Sequence, residues 1–167
     1  MRAVRLSPEI RPARASDHGA IARIIVPTIR EGETYALDPR LSEVEAVAYW
    51  TGADRETFVA ERDGAVRGTY YLRANQAGGG AHVANCGFMT DPAAAGLGIG
   101  RAMGLHALDR ARERGFAAMQ FNFVISTNLR AVALWQSLGF DIVGRLPDAF
   151  RHPGLGLVDA LVMYRKL

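Results

Sequence analysis

Directly after Asp91-Pro92 the chain reads AAAGLGIGR over residues 93–101. Gly96, Gly98 and Gly100 alternate with Leu97 and Ile99 and lead into a run of helical periodicity. Alternate glycines let backbone N–H groups converge at a helix start with no side chain in the way. Such a nest suits phosphate oxygens. A second block, NLRAVALWQSLGF over residues 128–140, lies further along and belongs with the first. The pair points to a polyanionic small ligand.

The other reactive side chains narrow the chemistry. Cys86 lies among Ala84 and Phe88 and reads as a packed core thiol rather than a nucleophile. His82 begins a strand; an exposed strand-end residue is the expected reading, and a base is the alternative. His18, His106 and His152 lie far apart and, with one cysteine, offer no metal-ligand spacing, so no metal is expected. The formal charge is +3, with Arg and Glu interleaved instead of gathered in a basic block. That argues against nucleic acid as the main partner. No stretch has the apolar length of a membrane span, and the N-terminus lacks the apolar core of a signal peptide. A single cysteine excludes an internal disulfide framework and fits a reducing, cytoplasmic setting.

These motifs need elements to hold them. With 167 residues, 49% of them apolar, the chain reads as one domain over residues 1–167. Residues 10–14 form a strand candidate. Ser16-Asp17 offers an N-cap for a helix to about residue 30, with Ile21, Ile24, Ile25, Thr28 and Ile29 at helical spacing. Pro27 is expected to kink or split that helix. Residues 42–50 read as a second helix with Glu45 in capping-box position. Strands over 57–62 and 65–74 flank Asp63-Gly64, a hairpin signal. A strand over 81–89 feeds the glycine turn, followed by a helix to about residue 114. On the strand over 117–124, Met119, Phe121 and Phe123 are expected on one face and Gln120 and Asn122 on the other. Ala131, Leu134, Trp135 and Leu138 make a helical stripe that Gly139 closes. Strands over 140–146 and 157–164, joined by a loop rich in Pro and Gly, complete a mixed α/β order with one parallel crossover.

On these residues the chain resembles the GNAT superfamily of acyl-CoA-dependent N-acyltransferases. The family signature Arg/Gln-x-x-Gly-x-Gly/Ala matches Gly96, Gly98 and Gly100, while its leading Arg or Gln is absent. Arg101 could supply the missing positive charge. The resemblance implies a GNAT fold: a central sheet of about seven strands, helices on both faces and a splayed pair of central strands. It also implies acetyl-CoA as co-substrate, cradled by Gly96, Leu97, Gly98, Ile99, Gly100 and Arg101. Its pantetheine arm would bond backbone groups around Phe88, Met89 and Thr90, with Asn128 at the next helix start and Trp135 close by. Trp135 reads equally as a core residue of its stripe and as a wall beside the thioester. Two departures bear on mechanism. Asn85 stands where many members carry a Glu base, and Trp135 where many carry a Tyr acid.

A narrower likeness, carried by EGETYALDP over 31–39, NCGFMTDP over 85–92 and the run from residue 119 to 147, resembles N-acetyltransferases that detoxify proline analogues. It implies roles for Asn85 and Asn122 in holding the amine and in the reaction, and a substrate pocket roofed by the Tyr35 loop, where Tyr35 reads equally as a loop anchor. In the bland reading both asparagines only satisfy a gap in the sheet. The expected activity is acetyl transfer to a small-molecule amine by direct attack in a ternary complex. Acetylation of a protein or peptide, and a non-catalytic acyl-CoA sensor, are the alternatives. The family also implies a homodimer through the C-terminal strands.

Overall fold

Isoleucines at helical spacing place one face of the first helix against a sheet, and the rest of the fold follows from that sheet. The computed structural model describes residues 7–167. In chain order its elements are β1 (Glu9–Pro12), α1 (His18–Glu31), α2 (Glu43–Trp50), β2 (Glu56–Arg62), β3 (Ala65–Ala74), β4 (Val83–Thr90), α3 (Ile99–Glu113), β5 (Ala118–Ile125), α4 (Leu129–Ser137), β6 (Asp141–His152) and β7 (Gly156–Lys166). The strands form one seven-stranded sheet in the order β1-β2-β3-β4-β5-β7-β6. All neighbours are antiparallel except β4 and β5. The expected α/β architecture is the observed one.

Strand alternation divides the core between the two faces. Phe58, Ala60, Tyr70, Leu72, Ala84 and Cys86 pack with Ile99, Met103 and Ala107 of α3 and Trp135 of α4. Val59, Tyr71 and Met89 face the other way, onto Ile21, Ile25 and Ile29 of α1 and Trp50 of α2. The Asp63-Gly64 turn has φ of +53° and +72°, the left-handed pair that a tight hairpin requires. Ser42 caps α2, accepting from the Glu45 N–H while the Glu45 carboxylate accepts from the Ser42 N–H.

Four local expectations need correction. Helix α1 runs unbroken through Pro27. Pro27 does not split it, and lies on the exposed face while Ile21, Ile24, Ile25 and Ile29 bury the other. Asp17 does not cap α1 with its side chain. Its carboxylate accepts from the Arg14 N–H at 2.7 Å and from Arg11 at 2.8 and 3.0 Å. The stretch expected as a loop after residue 146 is mostly strand, because β6 and β7 continue as a hairpin to a turn at Pro153–Leu155. A register shift between Leu146 and Phe150 absorbs Pro147, and the Asp148 N–H donates to Asp159 Oδ1 there. Finally, a register shift between Phe121 and Val124 puts Val124, not Phe123, on the core face with Phe121. Phe123 meets Phe150 instead.

The site depends on one irregularity. Strands β4 and β5 pair only at Val83–Ala118 and Ala84–Met119, and beyond these positions they separate. Helix α3, whose first turn borders the opening, lies close on β3 because Gly68 has no side chain. A Cβ there would stand 2.7 Å from Ile99 Cγ2 and 2.8 Å from Met103 Cε. Gly68→Val is therefore expected to push α3 off the sheet and destabilise the fold by about 1–3 kcal/mol. Thermal denaturation checks this, and an unchanged melting temperature would contradict the close approach.

Candidate functional site

The glycine turn forms one half of the site. A 3-10 turn at Pro92–Ala94 brings the chain to Gly96 and Gly98, both at φ +76°, a conformation that glycine adopts without strain. The first hydrogen bond across the start of α3 runs from the Ala102 N–H to the Gly98 carbonyl. The N–H groups of Ile99, Gly100 and Arg101 thus have no helical partner and point out of the positive end of the helix dipole. A cleft of about 580 Å³ lies in front of them, lined by Thr90, Gly96, Gly98, Ile99, Gly100 and Arg101 and, from α4, by Asn128 and Arg130. Leu97 does not line it; its N–H is bonded to the Ala94 carbonyl and its own carbonyl accepts from Arg62.

Positive charge reaches the cleft from two directions. Arg101 takes the place expected of it, tied across to α4 by a 2.9 Å bond to Ser137 Oγ. Arg130 was missed in the sequence, although it stands two residues after Asn128 in the second block. Asp91 also lines the cleft, but its carboxylate pairs with Arg67 at 3.2 Å and caps the Ala93 N–H. The arrangement fits a doubly or multiply charged phosphate ester.

The opening between β4 and β5 forms the other half. Even-numbered residues of β4 turn their peptide groups toward β5, as the bond from the Ala117 N–H to the His82 carbonyl shows. Past Ala84 that edge has no strand beside it. At Phe88 both backbone groups are held by a side chain: the N–H donates to Tyr35 Oη at 2.8 Å, and the Tyr35 hydroxyl donates to the Phe88 carbonyl at 3.2 Å. Met89 is on the wrong side for this edge; it pairs with Thr69 of β3 and buries its side chain against α1. Phe88 and Thr90 are the even-numbered residues of this motif whose backbone groups face that edge.

A second cavity, of about 280 Å³, passes through the opening. Tyr35, Tyr71, Arg73, Asn85, Phe88, Asn122, Asn128 and Trp135 are among the residues that line it. Asn128 and Ala131 line the glycine cleft as well, so the two spaces meet at the start of α4. Asn128 caps that helix, its Oδ1 accepting from the Ala131 N–H. Trp135 lies both in the core and at the cavity wall. It packs on Phe88 and Phe121 with ring centroids 4.8 Å away, and it walls the cavity.

Asn85 and Asn122 come together through Gln120. Asn85 Nδ2 donates to the Gln120 carbonyl at 2.9 Å, which replaces the ladder bond lost where the strands part. Gln120 Nε2 donates to Asn122 Oδ1 at 2.9 Å, and Asn122 Nδ2 donates to Asn75 Oδ1 at 2.7 Å. Asn75 carried no local signal, since only the fold brings the end of β3 beside β5. Burial raises the pKa of the Tyr35 phenol and of the Cys86 thiol, so both stay protonated near neutrality. Among the described residues no Asp, Glu or His lines this cavity. Among the described residues no group of three or more His, Cys, Asp or Glu could hold a metal ion.

A phosphate cradle feeding a gap between parted parallel strands agrees with what comparison finds. Residues 12–140 match the family model of the acetyltransferase (GNAT) family. The chain belongs to that family. A GCN5-related N-acetyltransferase from Kribbella flavida is 43% identical and superposes with a TM-score of 0.91, over 96% of this chain and 98% of that one. The N-acetyltransferase aca1 of Schizosaccharomyces pombe is 29% identical over 151 residues, 80% of this chain and 72% of its own length. A phosphinothricin acetyltransferase from Sinorhizobium meliloti, solved in complex with acetyl-CoA, is 26% identical with a TM-score of 0.85, over 97% and 89% of the two chains.

Acetyl-CoA is thus the probe for the cleft. Arg130→Ala is expected to weaken its binding about tenfold at low salt, as loss of a charge-assisted phosphate contact does, and the deficit should shrink as salt is raised. Calorimetric titration measures both. An unchanged dissociation constant would place the phosphates elsewhere.

Proposed function

We propose that this acetyltransferase moves an acetyl group from acetyl-CoA to the amine of a small molecule, and that proline analogues are among its acceptors. The cavity at the acceptor end carries this reading. It holds about 280 Å³, just under the usual range for ligand pockets, and residues 34–37 are part of its lining. A protein chain would need an open groove there. The narrower proline-analogue reading draws on the sequence likeness, with Asn85 and Asn122 both lining the cavity as that likeness requires. The sheet's outer strand β6 exposes Ile142, Val143 and Leu146, which supports a homodimer in the same proposal.

In this reading the unpaired N–H groups at the start of α3, with Arg101 and Arg130, hold the co-substrate's phosphates. The backbone edge of β4 at Phe88 and Thr90 takes its pantetheine arm. Acetyl-CoA supplies an acyl carbon activated by its thioester. Phe88 has one N–H to give, so Tyr35 must release it to whichever acceptor arrives. Asn85 Oδ1 and the second Asn122 amide hydrogen have no protein partner among the described residues, and they orient the amine. The amine nitrogen bonds to the acyl carbon, the carbon–sulfur bond breaks with its electron pair leaving on sulfur, and the proton shed by nitrogen passes to that thiolate, giving a neutral amide and a free thiol. Cys86 takes no covalent part, since burial keeps it a thiol.

With no carboxylate or imidazole in the cavity, the acceptor must arrive as a neutral amine. The expected kcat/KM therefore rises with pH until the amine's own pKa is passed. Asn122→Ala is expected to lower kcat tenfold or more while the KM for acetyl-CoA holds. Thiol release from acetyl-CoA, followed with cyclic imino acids, primary amino acids, polyamines and short peptides, measures each of these. Turnover confined to peptides, or binding of acetyl-CoA without turnover on any amine, would overturn the proposal.

A further inference from the structure

Among the described residues Arg73 is the only charged one that lines the acceptor cavity, and its place is set by the sheet. It stands directly opposite Asn85 in the β3–β4 ladder, so the two side chains leave the same face as neighbours. Asn75, two residues on along the chain, reaches Asn122 on that same face. The guanidinium therefore stands next to the groups proposed above to hold the amine.

Its charge is only partly compensated. Arg73 Nη1 meets Asp54 Oδ2 at 3.5 Å, but that carboxylate is already held by Arg55 through bonds of 2.7 and 3.1 Å. Two guanidiniums against one carboxylate leave one positive charge. Arg55 cannot turn away to relieve this, because it is sandwiched with its guanidinium carbon 4.8 Å from the Tyr49 ring centroid and 4.7 Å from that of Tyr71. Its side chain is only 7% exposed. Arg73 Nε is buried and has no hydrogen-bond partner. The side chain as a whole is 30% exposed, so a ligand carboxylate in the cavity can meet its outer nitrogens and balance the spare charge.

We infer that Arg73 is a specificity-determining residue that reads a carboxylate on the acceptor, close to the amine that is acetylated. The inference rests on the small-amine reading above and narrows it to amino and imino acids. Acceptors that bring only further positive charge, polyamines among them, are disfavoured by the same guanidinium.

The test compares matched acceptors: azetidine-2-carboxylate, proline and alanine, each beside its carboxamide, with putrescine as an amine lacking any acid. Thiol release is followed for the wild-type protein, Arg73→Gln and Arg73→Lys, with thermal melts confirming that each variant folds. The wild-type protein is expected to prefer carboxylate over carboxamide by about tenfold to a hundredfold in kcat/KM. Arg73→Gln should lose that preference through KM, and Arg73→Lys should keep part of it. Equal use of carboxylate and carboxamide by the wild-type protein, an unchanged preference in Arg73→Gln, or efficient acetylation of putrescine would each overturn the assignment while leaving an amine acetyltransferase in place. Absence of thiol release with every probe, with acetyl-CoA bound, would instead overturn the small-amine reading and this assignment with it.

Discussion

Everything at this site depends on two parallel strands that stop pairing. Backbone N–H and C=O groups inside a protein need partners, and a strand edge without one is ordinarily closed. Here β4 and β5 share two paired positions and then part, leaving the β4 edge at Phe88 and Thr90 to be satisfied by something else. Asn85 repairs the first lost bond from its side chain, and the Tyr35 hydroxyl occupies both backbone groups of Phe88. The gap is thus held open by side chains that keep its polar groups paired, and it stays available to a linear ligand that can pair in their place.

Electrostatics divides the same gap into two ends. At the glycine end, unpaired N–H groups, a helix dipole, Arg101 and Arg130 favour several negative charges, and the nearby Asp91 is neutralised by Arg67. At the acceptor end there is no carboxylate or imidazole, and burial keeps phenol and thiol protonated. Such a cavity can position a neutral amine but cannot take its proton through a strong base. Reactivity then comes from orientation and from the amine itself.

Much of this was visible in the chain, for reasons that differ by element. The cradle is local: Gly96 and Gly98 take a positive φ that glycine adopts without strain, so the motif could be read directly. The order of elements along the chain followed from hydrophobic periodicity and turn residues. What escaped depends on contacts between distant segments. Phe123 looked inward by alternation until a register shift in β5 reversed the pattern. Pro147 and Gly156 looked like loop because a bulge anchored by Asp159 is not written in local composition. Met89 and Leu97 sat inside the right motifs with their backbone groups turned away from the ligand spaces. Arg73 and Asn75 gained meaning only when the β3–β4 register set them beside Asn85 and Asn122.

The central claim is that the β4 edge exchanges one partner for another, and a structure of the protein with acetyl-CoA bound tests it most directly. The account predicts the pantetheine arm between β4 and β5, bonded to the backbone at Phe88 or Thr90, with the Tyr35 hydroxyl released from the Phe88 N–H. An arm lying outside the gap, with Tyr35 still holding both Phe88 groups, would contradict it.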